Sequence, residues 1–335
     1  MMIDKLIQNK LEVFHEMYDE QAGMIGENKT DMGAGYHTKR TGIVHGTNIS
    51  AEYAVAIIYT KAAGYYDRAE KIFRTLSHLQ DTNPDSATFG LWSYYMEEEL
   101  ADMLAPDYNF SDFIGKHFIY GLTAGRDALS AETQDIMKTA LLNAMECSIR
   151  RNVSPDYSNI SMMSCMTVIS AGELLENERL FKIGKTRLKK AYTYNIFNGA
   201  FTEYNSSTYT PLAIAELTRM LMYFKDMDCR QMAKELHDMA WENISLYYNP
   251  HTGEISPPQK RAYRDLDDGQ LQSLIYISTD GKYGRLNHPE NLLLSFLTLP
   301  FHCPEKYFRN FEFTGERWLD KIYYKTRFEQ KMKMR

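Results

Sequence analysis

Residues 201–211 read Phe-Thr-Glu-Tyr-Asn-Ser-Ser-Thr-Tyr-Thr-Pro, so Glu203, Tyr204, Asn205 and Tyr209 crowd one short segment among hydroxyl residues. The mixture offers a carboxylate, an amide and two phenols, groups suited to proton transfer and to holding a polar substrate. A second amide, Asn159, closes the run Asp156-Tyr-Ser-Asn, and a cationic, aromatic run at 258–265 carries Arg261, Tyr263 and Arg264. Two chemistries fit such groups. A proton beside a carboxylate becomes removable when an amide, an arginine or an acid neutralises that carboxylate and a Tyr or His takes the proton. Glycosidic hydrolysis instead needs two carboxylates across a cleft. Its candidates are Asp81, Asp85, Asp156, Glu203 and the run Glu97-Glu-Glu99, with Glu203 beside Asp81 or Asp156 as the leading pair. His45 is a separate candidate base, and Asn48 and Trp92 are candidate substrate contacts.

Each group also has a structural role open to it. Ser206 or Ser207 can cap the helix that follows, and Asn159 can cap the helix continued by Ile160 and Met163. Arg261 and Arg264 can pair with Asp265, Asp267 or Asp268, and a triple-acid run such as 97–99 is commonly a solvated face.

Positioning these residues falls to helices. Apolar residues recur at three- and four-residue steps over roughly 4–19, 50–63, 66–79, 89–104, 109–122, 131–150, 158–176, 178–193, 208–225 and 228–247. Shorter helical patterns are expected near 265–278 and 288–297, and the only hint of strand alternation lies near 274–278. A glycine-rich stretch, 23–46, is expected to be a long loop. Helices joined by short turns make antiparallel hairpins. Several helix starts share Asn with Ser or Thr, as in His45-Gly-Thr-Asn-Ile-Ser, Asp156-Tyr-Ser-Asn and Glu203-Tyr-Asn-Ser. This pattern predicts an all-α fold, an α/α toroid of five or six helical hairpins, complete or incomplete. One set of loops would line its central cleft. The expected organisation is a single domain over 1–335, with 300–335 a less regular C-terminal extension.

The runs at 150–160, 199–210 and 258–265 resemble those of heparinase II/III-like and alginate-lyase-like toroid proteins. The resemblance covers the toroid part, roughly residues 40–300. It implies a polysaccharide lyase that cleaves a uronate-containing glycan by β-elimination. In those families an Asn comes from one inner helix start and a Tyr or His from the next. Carried onto this chain, Asn159 grips the uronate carboxylate and Tyr209 is the leading base and acid, with Tyr204 second. Arg261, Tyr263 and Arg264 then add cationic and stacking contacts. The readings beside it are the two-carboxylate hydrolase and a non-catalytic ring that binds a glycan or a partner protein.

Composition limits the remaining possibilities. A formal net charge of -6 over 335 residues argues against nucleic-acid or anionic-membrane partners, leaving a glycan or other small molecule as the expected one. The 24 Tyr and 16 Phe suit a surface that stacks on sugars. Cys147, Cys165, Cys229 and Cys303 lie too far apart for a zinc site or disulfide framework. Neither a D-D-x-x-D run, a phosphate loop, G-x-S-x-G nor H-E-x-x-H occurs, and no metal or cofactor is expected. The first residues have neither an apolar core nor a small-residue cleavage site, so a cytoplasmic location is expected.

Overall fold

The helix α2 (Thr47–Tyr59) is buried nearly all round, and Ala51, Tyr53, Ala54, Val55, Ala56 and Ile57 form its apolar length. Its neighbour α3 (Tyr66–Leu79) instead buries one stripe, Ala69, Ile72, Phe73 and Leu76, and leaves Arg68 and Arg74 toward water. The same alternation recurs in α4 (Phe110–Ala124), buried almost all round, and in the amphipathic α5 (Ala131–Arg151). α2 packs on α4, α3 packs on α5, and each apolar helix packs on its amphipathic partner. Burying most of α4 also buries Asp112, which accepts hydrogen bonds from Ser148 Oγ at 3.1 Å and Thr167 Oγ1 at 2.5 Å.

These observations come from a computed structural model that describes residues 2–30, 37–256, 259–261, 269–286, 289, 292–323 and 326–334. The chain is all-α, with twelve helices among the described residues. Its contacts divide it into two compact units, one formed by Met1–Asn152 with Thr167–Ile183, the other by Val153–Met166 with Gly184–Arg335.

In the first unit α1 (Met2–Met17) leads into a three-stranded antiparallel sheet, β1 (Tyr18–Asp19), β2 (Met24–Lys29) and β3 (Gly42–His45). The glycine-rich stretch expected to be a loop therefore contains a ribbon, with Gly26 opposite His45 and Lys29 opposite Gly42. Residues 31–36 of that stretch lie outside the described residues.

The helix expected over 89–104 is absent, and the segment runs as turns. Gly90 adopts φ +83, and a Cβ there would stand 2.1 Å from the Asn143 carbonyl oxygen on α5, so only glycine fits. Beyond it the backbone pairs sideways. Tyr95 bridges to Gly46, the Tyr94 carbonyl accepts the Thr47 N–H at 3.0 Å, and the His45 carbonyl accepts the Met96 N–H at 2.9 Å. Arg150 on α5 anchors the segment by donating to the Phe89 carbonyl at 2.6 Å.

α6 (Ser158–Leu174) and α7 (Glu178–Asn198) follow, each contributing residues to both units. In the second unit α8 (Tyr209–Tyr223) is buried along most of its length, including the Glu216–Arg219 ion pair at 2.6 Å. α9 (Met227–Tyr247) is amphipathic, packs on α8, and is capped by Asp226, whose Oδ1 accepts the Cys229 N–H at 2.9 Å. α10 (Gln270–Ser278) also packs on α8, so the segment with strand-like alternation is helical. The short helices α11 (Leu294–Leu297) and α12 (Phe308–Phe311) precede a two-stranded ribbon, β4 (Gly315–Tyr323) against β5 (Thr326–Met334). No helix among the described residues is long and apolar enough to cross a membrane.

Candidate active site

Within the second unit, the start of α6 and the turn before α8 are tied together by one carboxylate. Glu203 is 3% exposed; its Oε2 accepts the Asn159 backbone N–H at 2.9 Å, in the first turn of α6. In return the Ser158 Oγ accepts the Glu203 N–H at 3.3 Å. The arrangement is a capping box closed between distant segments, and the negative charge sits where the helix N-terminus favours it. Asn159 therefore lies inside the first turn and does not cap the helix with its side chain. Its amide oxygen is buried and has no hydrogen-bond partner among the described residues.

The other oxygen of Glu203 forms an ion pair with Arg261 Nη1, and Arg261 Nη2 donates to the Tyr209 hydroxyl at 2.8 Å. The guanidinium also lies 4.0 Å from the Tyr209 ring centroid and 5.6 Å from that of Tyr157. Ser206 holds this turn, its Oγ accepting the Tyr209 N–H at 3.1 Å and donating to the Arg261 carbonyl at 3.4 Å. Two non-glycine residues here adopt left-handed backbone, Asn205 at φ +53 and Arg261 at φ +58. Such backbone costs on the order of 1–3 kcal/mol and persists where the surroundings over-determine it.

Thus Asn159, Glu203, Tyr209 and Arg261 share one cluster, joined by Tyr157, Ser158 and Ser206, and Asn205 supplies the left-handed turn between Glu203 and Ser206. Tyr204 contributes its carbonyl, which accepts the Lys260 N–H at 3.1 Å. Asp156 is exposed and accepts a hydrogen bond from Ser154 Oγ. Tyr263 and Arg264 lie outside the described residues.

The other sequence candidates belong to the first unit. Trp92 is fully buried, donates to the Leu76 carbonyl at 2.6 Å and meets Phe118 edge-on, so it is core and no substrate platform. His45 is held between two carboxylates, Nδ1 against Glu97 and Nε2 3.3 Å from Asp19 Oδ2. Backbone N–H groups of Ala22 and Gln21, together with His45, hold the Asp19 carboxyl below its ordinary range. Asn48 donates to Glu52 at 3.4 Å. Asp81 organises a turn; burial opposes its ionisation, yet bonds from Ser86, Thr88 and the Asn83 N–H bring its pKa below the usual value.

Asp81 also lines a cavity of about 400 Å³ together with Glu98 and Glu99. Glu98 is 7% exposed; one oxygen accepts from Thr38 Oγ1 at 2.7 Å, and the other is buried with no partner among the described residues. A helix over 89–104 allows one acid of the run 97–99 to face inward without saying which, and neither the choice of Glu98 nor the clamp around His45 can be read from it. No group of three or more His, Cys, Asp or Glu among the described residues is arranged to hold a metal ion.

Residues 4–291 match the model of the family described as Domain of unknown function (DUF8769), and the chain belongs to that family. No curated protein and no solved structure matches it.

Proposed function

From the site's own chemistry, within a family whose description assigns no activity, we propose a carbohydrate-active enzyme, a lyase that cleaves a uronate-containing glycan by β-elimination. The reading rests on one observation: Arg261 joins the Glu203 carboxylate to the Tyr209 hydroxyl, while Glu203 fixes the start of the helix bearing Asn159. In the proposed reaction the Asn159 amide and Arg261 neutralise the uronate carboxylate. Tyr209, reacting as the phenolate beside the Arg261 guanidinium, takes the proton from the adjacent carbon and becomes the phenol, and the electron pair moves to form the carbon–carbon double bond. The glycosidic C–O bond breaks, and the leaving oxygen receives a proton from a Tyr hydroxyl or from water. Glu203 positions these groups, one oxygen engaged by the Arg261 guanidinium and the other by the Asn159 N–H, which leaves neither aimed at a leaving group. This is why elimination is favoured over a hydrolysis led by Glu203. Closure of the helical hairpins into an α/α toroid related to the heparinase II/III-like and alginate-lyase-like proteins belongs to the same proposal. It is supported by the alternation of fully buried and amphipathic helices within each unit.

A second reading, glycoside hydrolysis, is favoured by Asp81 and Glu98 lining one cavity with a buried carboxylate oxygen of Glu98 unpartnered among the described residues. One assay separates the two. Incubated with a panel of uronate polymers and oligomers, the lyase yields the near-ultraviolet absorbance of a conjugated unsaturated uronate. New reducing ends without that absorbance, abolished by Glu98→Gln, support hydrolysis. Neither signal across the panel overturns both and leaves a binding role.

A further inference from the structure

A cavity of about 620 Å³ opens in the second unit, between the C-terminal half of α8, the N-terminal half of α9 and residues 300–304. It shares no residue with the cluster around Glu203. Its walls are apolar, built from Leu221, Met222, Met227, Pro300 and Pro304, and Met222 and Met227 are 40% and 72% exposed. Methionines in such a wall adapt to ligands of different outline.

The polar side of the cavity is cationic. Arg230 and Lys234 stand one turn apart on α9, where like charges repel, and neither has an ion-pair partner among the described residues. The carboxylate that also lines the cavity, Asp238, is engaged by Lys306 at 3.0 Å. His302 adds a second imidazole at the rim.

The remaining polar group is His237, 7% exposed. Its Nε2 lies 3.2 Å from Trp241 Nε1, and an indole N–H only donates, so this nitrogen carries no proton. Burial depresses the imidazole pKa to about 4, which keeps the ring neutral near pH 7. The ring proton is therefore on Nδ1, a fixed donor. The His237 Nδ1–H, oriented by the Trp241 indole, and two surface cations thus combine to give a hydrogen-bond donor and positive charge beside an apolar wall.

We propose that this cavity binds a small amphipathic carboxylate, its apolar body against the methionines and its charge toward Arg230, Lys234 and the His237 donor. The charged head explains why two like cations are held together without acidic partners, and the apolar body explains the exposed methionines. An apolar ligand alone would leave the cations without a role.

Titration calorimetry on the full chain tests the assignment with octanoate, octanol and octylamine as probes. Octanoate is expected to bind at least about tenfold tighter than octanol, and octylamine not to bind. The double variant Arg230→Met with Lys234→Met is expected to erase the preference for octanoate while leaving octanol binding within about twofold. Both positions are exposed, so the variant is expected to keep the wild-type melting temperature, which is measured alongside. Benzoate distinguishes an aryl from an alkyl body, and binding of either with the same dependence on the two cations supports the proposal. Equal affinity for octanoate and octanol, unchanged octanoate affinity in the double variant, or no binding of any probe would overturn it.

Discussion

Replacing Glu203 by Gln and Arg261 by Met, singly and together, asks whether the ion pair that organises the cluster contributes to stability. Breaking one side of a fully buried pair costs about 3–5 kcal/mol, because a charge is left uncompensated. Glu203 is 4% exposed at its side chain but Arg261 is 32% exposed, so water screens the guanidinium. The expectation for Glu203→Gln falls to about 1–3 kcal/mol. Gln retains an acceptor for the Asn159 N–H, so the capping contact survives and the loss reports mainly on the charge. Arg261→Met strands the buried Glu203 carboxylate and is expected to cost at least as much. The double variant is expected to cost less than the sum, with a coupling of about 1–2 kcal/mol. Urea denaturation of the four proteins measures it, with thermal melts as a check at about 2–4 °C per kcal/mol. A coupling within about 0.3 kcal/mol of zero would refute the pair as the organising contact.

Other expectations follow from single positions. Gly90→Ala forces a side chain onto left-handed backbone and into the Asn143 carbonyl, so a loss of about 3 kcal/mol or more is expected in the same denaturation assay. Asp226 caps α9 and pairs with Lys185; burial raises its pKa, but bonds from the Cys229 N–H and Lys185 outweigh burial and lower it overall. A depressed folded pKa contributes stability above the ordinary value of 3.8, lost as pH falls through the lower folded value. The melting-temperature gap between wild type and Asp226→Asn is therefore expected near neutral pH and to close in acid below 3.8. Burial pushes the Cys303 thiol up to about 12, so labelling by a thiol reagent at pH 8 is expected only after denaturant is added.

How far the sequence carried differs between helices and site. The long helices were legible because their apolar period extends over several turns, as in α3 and α9. The segment at 89–104 has apolar residues at similar spacing, but Gly90 and the sideways pairing of Tyr94, Tyr95 and Met96 override it. Such pairing depends on contacts made with β3 and the start of α2, which no local pattern records. The ribbon in 23–46 was missed for a related reason, since β2 reads Met-Ile-Gly-Glu-Asn-Lys and lacks strict alternation. At the site, the shared helix-start pattern and the family resemblance, not composition, are what lead to the expectation that Asn159, Tyr204, Tyr209 and Arg261 lie together. The part Glu203 plays does not follow from either. A carboxylate that caps a helix starting 45 residues earlier in the chain, counted from Glu203 to Ser158, is visible only once both segments are packed. The same limit hid the clamp on His45, whose partner Glu97 lies 52 residues away.

Turnover by the Tyr209→Phe variant, compared with wild type on the uronate oligomer that gives the strongest unsaturated product, tests the central claim most directly. Tyr209 is half-buried and its hydroxyl is bonded by Arg261, so the variant is expected to stay within about 1 kcal/mol of wild-type stability. Loss of the proton-transfer group is expected to lower turnover by about 10²–10⁴-fold. A folded Tyr209→Phe protein that forms the unsaturated product at the wild-type rate would contradict the account.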